Sequence, residues 1–266
     1  MIPIIGRADT EQLELGLKRL KLRHIREHLD AACEVAEQEE PSYKDFVAYL
    51  VAQEVEGREL TQQEKRLKAA RFHKLTRIED FDFAFQTSIS RQTFMDLARL
   101  DFVEAKENIC LCGPSGVGKT HLAVALGYEA IKAGYRVRCY PFDELVTELY
   151  ASLADGSTAS KMRSILRNDV IILDELGYVS LDKTAADHMF QLVSKAYEQR
   201  SLIVTTNLDF GEWGQLFGNP GTATAILDRF LHHAHVIVLK GDSYRMRGRL
   251  LPAQTDDQLD TPAPLP

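Results

Sequence analysis

One eight-residue segment constrains this chain more than any other feature: residues 113–120 read Gly-Pro-Ser-Gly-Val-Gly-Lys-Thr. The segment fits the phosphate-binding loop pattern G-x-x-x-x-G-K-[ST] at every position. Its glycines let the backbone turn tightly, so that N–H groups point at phosphate oxygens. Lys119 can reach the β- and γ-phosphates of a nucleotide, and the hydroxyl of Thr120 can bind Mg²⁺. We therefore predict an ATP site made of Gly113, Pro114, Ser115, Gly116, Val117, Gly118, Lys119 and Thr120.

The residues on either side of the loop provide the context that this motif requires. Residues 108–112 precede the loop and are typical of a short buried strand, whereas residues 121–131 follow it with helical spacing. In a strand–loop–helix unit the N-terminus of the helix faces the bound phosphate, because its dipole favours negative charge. The flanks therefore predict an α/β fold with a parallel sheet.

A second segment, residues 169–175, is an apolar run that ends in two carboxylates. A continuous apolar run is typical of a strand buried on both faces of a parallel sheet. Its carboxyl end is where open α/β sheets bind their ligands. We predict that Asp174 holds Mg²⁺, directly or through water. We also predict that Glu175 polarises the water that attacks the γ-phosphate.

Composition bears on the class of protein and on its surroundings. The 266 residues suffice for one large domain and a small appendage. We find no apolar run of about 18 residues and no signal peptide, so we expect no membrane span. The four cysteines lack zinc-site spacing, which favours a reduced, cytoplasmic protein. The net charge of −7 excludes an overall basic surface, but nucleic-acid binding needs only a local basic stripe.

The order of predicted elements divides the chain into three parts. Residues 1–75 are predicted as a helical domain that binds DNA or a partner, 76–250 as the nucleotide domain, and 251–266 as a disordered tail. In the first part, Ser42 and Thr61 each begin a capping pattern, so each is predicted to precede a helix. In the second, helical patterns separate five predicted strands: Ile109–Cys112, Arg136–Tyr140, Val170–Asp174, Leu202–Thr206 and Val236–Leu239.

Five segments together resemble those of one known family: Leu75–Phe83, Gly113–Ala123, Leu173–Tyr178, Thr205–Leu208 and Lys240–Arg245. They are similar to segments of IstB-type transposition helper ATPases, which are related to the DnaC-like helicase loaders within the AAA+ proteins. The resemblance implies a P-loop AAA+ ATPase core without a C-terminal lid, preceded by a small all-helical domain. In that core a parallel sheet carries helices on both faces. The strand between the loop strand and the Asp-Glu strand, together with Glu175, resembles the additional-strand class of P-loop ATPases.

The resemblance also implies roles for residues outside the two motifs. Asn207 would help to position the attacking water, and His121 would belong to the ATP site. Arg229 would reach into the nucleotide site of a neighbouring copy, so that ATP binding is coupled to self-assembly. Arg245 or Arg247 would place a second arginine on the phosphates, and we assign Arg245 to the ATP site while leaving this choice open.

Three basic segments are candidates for contact with DNA. Each places several cations on a predicted helix, although such runs are also common on solvated surfaces. Binding of this kind would rest on phosphates, so it should be weakly sequence-specific and sensitive to salt. The candidate residues are Lys18, Arg19, Lys21, Arg23, Lys65, Arg66, Lys161, Arg163 and Arg167.

These features lead to one functional expectation and two rivals. We expect an ATP-dependent DNA-binding helper that uses ATP and Mg²⁺, assembles with other copies on duplex target DNA and stimulates a partner transposase of IstA type. A DnaC-like replicative helicase loader is the alternative, because it shares the same ATPase core. A nucleotide switch without turnover is a third reading, against which the intact Glu175 argues.

Overall fold

Five parallel strands form the centre of the computed structural model, which describes residues 10–177 and 181–247. The strands are β1 Asn108–Cys112, β2 Val137–Pro141, β3 Val170–Leu176, β4 Ser201–Thr206 and β5 Ala234–Val238. All five predicted strands are confirmed, and the bounds differ by at most about two residues because strand ends are weakly specified by local pattern. The parallel α/β fold that the phosphate-binding loop predicts is therefore correct.

The order of strands in the sheet is β2-β3-β4-β1-β5. The strand that lies between the loop strand β1 and the Asp-Glu strand β3 is β4, which follows both of them in the chain. The strand that separates them in the sequence, β2, lies at one edge of the sheet instead. The carboxyl end of β4 therefore stands between the phosphate-binding loop and the two carboxylates, with Thr206 in register with both Cys112 and Leu176.

Helices cover both faces of the sheet. Alternate residues of β1 belong to different hydrophobic cores, with Ile109 and Leu111 in one core and Cys110 and Cys112 in the other. The helices are α1 Thr10–Arg19, α2 Arg23–Glu39, α3 Tyr43–Ala70, α4 Arg91–Leu97, α5 Asp101–Ala105, α6 Lys119–Lys132, α7 Phe142–Ala154, α8 Thr158–Ile165, α9 Lys183–Ala196, α10 Trp213–Leu216 and α11 Pro220–Leu231. The core that contains Ile109 and Leu111 includes apolar residues of α6, and the core that contains Cys110 and Cys112 includes those of α7, α9 and α11.

The chain that follows β5 is short in the described part of the structure. Residues 239–247 contain a single 3₁₀ turn at Tyr244–Met246 and no helical lid. The predicted disordered tail, 251–266, lies outside the described residues. In the ranges that the structure covers, none of the helices combines the length and apolarity needed to cross a bilayer.

The N-terminal part is helical, as predicted, but one of the two predicted helix starts is wrong. The Ser42 side chain caps α3 by accepting a hydrogen bond from the N–H of Asp45. Thr61 starts no helix, because it lies inside α3, which is 28 residues long. The side chains around Thr61 are good helix formers, so the helix is not interrupted there. The hydroxyl of Thr61 instead lies 3.4 Å from Nε2 of His24 on α2. The domain boundary near residue 75 remains a prediction.

A buried carboxylate joins α2 to α3. The side chain of Glu54 is only 7% exposed, and its Oε2 accepts hydrogen bonds from the backbone N–H groups of His24 and Ile25, at 2.8 and 3.0 Å. These are orphan donors in the first turn of α2, whose N-cap residue Leu22 has no hydrogen-bonding side-chain atom. Oε1 of Glu54 accepts from Nε of Arg58 at 2.7 Å. Glu54 therefore caps α2 from a neighbouring helix.

Replacing Glu54 with glutamine is expected to lower the free energy of unfolding by about 1–3 kcal/mol at neutral pH, because the amide cannot serve both sets of donors. Burial raises the pKa of Glu54, but the hydrogen bonds from the Ile25 N–H, Arg58 and the His24 N–H lower it below its ordinary value. A lowered folded-state pKa stabilises the protein above the ordinary carboxyl pKa, and this contribution is lost as the pH falls through the lowered pKa. We therefore expect urea unfolding to show that the difference in free energy of unfolding between Glu54→Gln and wild type is smaller at acidic pH than at pH 7.

The matched control for this measurement is Glu56→Gln, an exposed carboxylate two residues away on the same helix. A change there should leave the free energy of unfolding within about 0.5 kcal/mol of wild type. Equal effects of the two substitutions, or a Glu54 effect independent of pH, would contradict the capping role.

Candidate nucleotide site

The phosphate-binding loop is held in a backbone conformation that favours glycine. Gly113 and Gly116 have φ values of 144° and 83°. A Cβ atom at Gly113 would lie 2.1 Å from the carbonyl oxygen of Leu239, and one at Gly116 would lie 2.0 Å from Oγ of Ser243. Both glycines are therefore needed for conformation and for the close approach of the segment that follows β5.

Lys119 is positioned at the start of α6, directly behind the loop. Its Nζ donates hydrogen bonds to the carbonyl oxygens of Gly113 at 2.6 Å and Pro114 at 2.7 Å. Burial lowers the pKa of Lys119, while the carboxylates of Asp174 and Glu175 act in the opposite direction. A bound polyphosphate would offer stronger acceptors than these carbonyls, because hydrogen bonds between charged groups are about twice as strong as neutral ones.

Asp174 lies at the carboxyl end of β3, within hydrogen-bonding distance of two hydroxyls. Its Oδ1 accepts from Oγ1 of Thr120 at 2.9 Å and from Oγ1 of Thr205 at 2.6 Å. The structure thus brings the two predicted Mg²⁺ ligands, Thr120 and Asp174, side by side. Hydroxyl and carboxylate oxygens are the hard donors that Mg²⁺ prefers, so this pair fits the ion.

Glu175 and Asn207 line the same cavity from the carboxyl ends of β3 and β4. Both side chains are exposed, as groups that must meet a substrate and a water molecule need to be. The backbone N–H of Glu175 donates to Oγ1 of Thr205 at 2.8 Å. The sheet therefore places Glu175, the predicted base, and Asn207, the predicted water-positioning residue, at the carboxyl ends of neighbouring strands, beside the phosphate-binding loop.

The cavity has a volume of about 480 Å³, which lies within the range of small-molecule sites. Its walls come from the phosphate-binding loop, the ends of β3 and β4, the segment 74–86 and the segment after β5. Arg245 lines the cavity, and its contact with the phosphates stays a prediction. Arg247 instead forms an ion pair with Asp82, and its guanidinium lies 5.3 Å from the ring centroid of Phe85.

The wall formed by residues 74–86 holds site residues that the motifs did not identify. Phe81 packs edge-on against the ring of His121, with centroids 5.2 Å apart, and Phe85 packs against Tyr244 at 5.3 Å. Nε2 of the buried Gln86 donates to the carbonyl oxygen of Val117 at 3.1 Å. Aromatic faces beside a phosphate-binding loop suit the stacking of a nucleobase. The available signal was the spacing of phenylalanines at 81, 83 and 85.

His121 has a structural contact in addition to its place in the cavity wall. Its Nε2 lies 2.9 Å from the carbonyl oxygen of Arg77, and its own carbonyl accepts from Oγ1 of Thr76 at 3.0 Å. These two hydrogen bonds therefore connect the segment 74–86 to the first turn of α6. The contact of His121 with ATP remains a prediction.

Arg229 lies on α11, away from the cavity of its own chain. Its Nη1 donates to the carbonyl oxygen of Ala225 at 3.0 Å, and its guanidinium lies 5.0 Å from the ring centroid of Phe190. Among the described residues, those that line the cavity do not include Arg229. A role in catalysis would therefore have to be exerted on another copy, which stays a prediction.

The predicted DNA-contacting residues fall into separate groups in the structure. Lys21, Lys65 and Arg66 line one open groove between α2, α3 and the end of α6, in which Glu56 and Glu59 also lie. The others lie elsewhere, three of them in ion pairs: Lys18 with Glu14, Arg23 with Glu27 and Lys161 with Glu148. Arg19, Arg163 and Arg167 are exposed.

A cluster at the far end of α11 brings together three groups that can bind metals. Ligand atoms of Glu198, His232 and His233 lie within 4.8 Å of one another, and all three residues are exposed. The Nδ1 of His232 is hydrogen-bonded to the hydroxyl of Tyr197 at 2.9 Å. Hydrogen bonding among surface side chains accounts for this arrangement.

Comparisons with known proteins, like the geometry of the site, indicate an ATP-binding protein. Residues 15–251 match the family described as IstB-like ATP binding protein. An insertion sequence IS21 putative ATP-binding protein of Pseudomonas aeruginosa is 42% identical over 236 residues, which cover 89% of each chain. An insertion sequence IS5376 putative ATP-binding protein of Geobacillus stearothermophilus is 37% identical over 250 residues, 94% of this chain and 99% of the relative.

A solved structure shares the fold. The crystal structure of DnaI superimposes with a TM-score of 0.54 at 24% identity, over 62% of this chain and 91% of DnaI. At this identity the likeness concerns the fold alone, and it agrees with the parallel α/β core that the resemblance implied.

Proposed function

The chain belongs to the family of IstB-like ATP-binding proteins, and from this premise we propose that it is an ATP-hydrolysing helper of DNA transposition. In this proposal it assembles with other copies on duplex target DNA and stimulates a partner transposase of IstA type. One observation carries the ATPase part: the phosphate-binding loop, Asp174, Glu175 and Asn207 meet at one edge of the sheet. The relatives that are named as insertion sequence ATP-binding proteins support the transposition part.

In this proposal, different residues bind the phosphates, the base and Mg²⁺ and activate the attacking water. Backbone N–H groups of the loop and Nζ of Lys119 bind the phosphates, and the aromatic wall around Phe81 and Phe85 receives the base. Thr120 and Asp174 hold Mg²⁺, which when bound offsets the negative charge of the phosphates. Glu175 accepts a proton from the attacking water, and Asn207 orients that water.

The proposed assembly uses the side of the nucleotide site that the described residues of its own chain leave open. In the described part of the chain after β5, no helical lid covers the nucleotide. A neighbouring copy would close the site and bring its Arg229 to the phosphates. An arginine supplied in trans stabilises charge that develops on the transferring phosphoryl group, so binding of ATP and assembly reinforce each other.

The proposed contact with DNA rests on local clusters of positive charge. One groove includes three of the predicted DNA-contacting cations, Lys21, Lys65 and Arg66, within a chain of net charge −7. A second group consists of the exposed Arg163, on α8, and the exposed Arg167, two residues after the end of α8. Such sites contact phosphates and not base edges, so binding should weaken steeply as the salt concentration rises.

The test is the particle size of the protein on duplex DNA with ATP·Mg²⁺ and with ADP, by electron microscopy and light scattering. We expect large DNA-bound assemblies with ATP only. Arg229→Ala should bind ATP like wild type and fail to assemble, whereas the exposed control Arg91→Ala should assemble normally. Adding an IstA-type transposase should then raise strand transfer only under assembling conditions.

Small particles with either nucleotide would overturn the helper proposal. The next experiment would then be a helicase-binding assay, because a fold does not by itself separate a transposition helper from a helicase loader.

A further inference from the structure

A threonine of β4 contacts both acidic residues at the carboxyl end of β3 at once. Thr205 is fully buried, at 0% exposure. Its Oγ1 donates a hydrogen bond to Oδ1 of Asp174 at 2.6 Å and accepts one from the backbone N–H of Glu175 at 2.8 Å. A hydroxyl is the smallest side-chain group that can donate and accept at the same time. Both capacities of this hydroxyl are used, one on each residue of the acidic pair.

The backbone at Glu175 is unusual for a residue with a side chain. Its φ is +62°, in the left-handed region that costs a non-glycine residue about 1 kcal/mol or more. The register between β3 and β4 shifts at this point, between Leu173 and Leu176. A shift of this kind redirects side chains and is common beside active sites. The hydrogen bond from the Glu175 N–H to Thr205 holds this conformation in place.

The geometry points to Thr205 as a positioning residue, and we propose that its hydroxyl sets the orientation of Glu175 relative to Asp174. Without that hydroxyl, the backbone N–H of Glu175 loses its partner and the left-handed turn relaxes. The Glu175 side chain then leaves the position from which it faces the phosphates, while the phosphate-binding loop is untouched. This inference rests on the proposed ATPase function and assigns to it a residue outside the recognised motifs.

A residue that only packs in the strand would behave differently. Thr205 is in register with Leu111 on β1, and β-branched side chains fit a buried strand. Valine has the same shape as threonine and a similar strand preference, so a packing role predicts that Thr205→Val is harmless. A positioning role predicts that Thr205→Ser, which keeps the hydroxyl but loses the methyl group, is the milder change.

The first experiment compares steady-state ATP turnover with equilibrium binding of a fluorescent ATP analogue. Thr205→Val should reduce kcat about 10- to 100-fold, the range typical of losing a group that hydrogen-bonds a metal ligand, with KM and analogue Kd within about threefold of wild type. Thr205→Ser should stay within about threefold in kcat. The control is Ser201→Ala, which removes a buried hydroxyl bonded to the carbonyl oxygen of Phe102 at the opposite end of β4. It should turn over ATP normally.

A second measurement does not depend on turnover. Amide hydrogen exchange without nucleotide should show the Glu175 N–H exchanging at least about tenfold faster in Thr205→Val than in wild type, and unchanged in Ser201→Ala. If wild type hydrolyses no ATP, the proposed function fails while this exchange result still decides the position of Glu175. The inference is overturned if Thr205→Val turns over ATP at the wild-type rate, if it loses nucleotide affinity as strongly as turnover, or if the Glu175 amide stays protected.

Discussion

Replacing Glu175 with glutamine is expected to reduce ATP turnover by about two to four orders of magnitude, the contribution typical of a general base. The amide has the same size but cannot take a proton from water at neutral pH. The groups that bind the phosphates, in the loop and at Lys119, are unchanged, so affinity for ATP should be preserved. The measurement is phosphate release at saturating ATP, set beside the Kd of a fluorescent ATP analogue.

The same variant should change the lifetime of the assembled state. If hydrolysis drives disassembly, particles of Glu175→Gln on duplex DNA should form with ATP and persist after wild-type particles have dispersed. Glu144→Gln, an exposed carboxylate in the first turn of α7, provides a control of equal charge change. Turnover of Glu175→Gln at the wild-type rate would mean that another group activates the water, and the mechanism proposed here would be wrong.

Replacing Lys119 with alanine is expected to weaken ATP binding by about 100-fold or more. The ammonium group would make at least two charge-assisted hydrogen bonds to phosphate, each contributing about 1.5–3 kcal/mol, and each 1.4 kcal/mol corresponds to a tenfold change in Kd. ATP-dependent assembly on DNA should be lost at nucleotide concentrations that saturate wild type. Isothermal titration with ATP·Mg²⁺ measures the first effect, and light scattering with DNA measures the second.

The control for charge on the same helix is Lys132→Ala, at the opposite end of α6, where the side chain is 47% exposed and pairs with Glu129. Its removal should leave Kd within about twofold, since exposed ion pairs contribute little. Lys119 also bonds two loop carbonyls, so the melting temperature of Lys119→Ala must be compared with wild type. A folded Lys119→Ala protein that binds ATP as tightly as wild type would contradict the assignment of the loop.

Much of the candidate site could be predicted because its signals are local. The glycine spacing around Lys119 specifies a loop conformation, and the apolar run before Asp174 specifies a buried strand that ends in an acid. Both are properties of fewer than ten consecutive residues. The five strands were found for the same reason.

The residue positions that the sequence could not predict depend on contacts between distant parts of the chain. Arg247 pairs with Asp82 across 165 positions, and Gln86 reaches Val117 across 31. The prediction at Thr61 is wrong for a related reason, because the capping pattern is local whereas the partner of the Thr61 hydroxyl, His24, lies on another helix. No short window of sequence contains both members of such a pair.

The sequence alone determined that this chain has a phosphate-binding loop, an acidic strand end and a parallel sheet. A glycine pattern restricts φ at its own positions, and an apolar run reports the burial of its own residues, so both act without knowledge of their neighbours. The position of β4 between β1 and β3 is a property of the folded sheet that no local pattern contains. That order brings the hydroxyl of Thr205 to Asp174 and to the Glu175 N–H, which lie about 30 residues away in the chain. The strand order depends on which strands pair and on how the helices cross between them, so it cannot be read from any single segment.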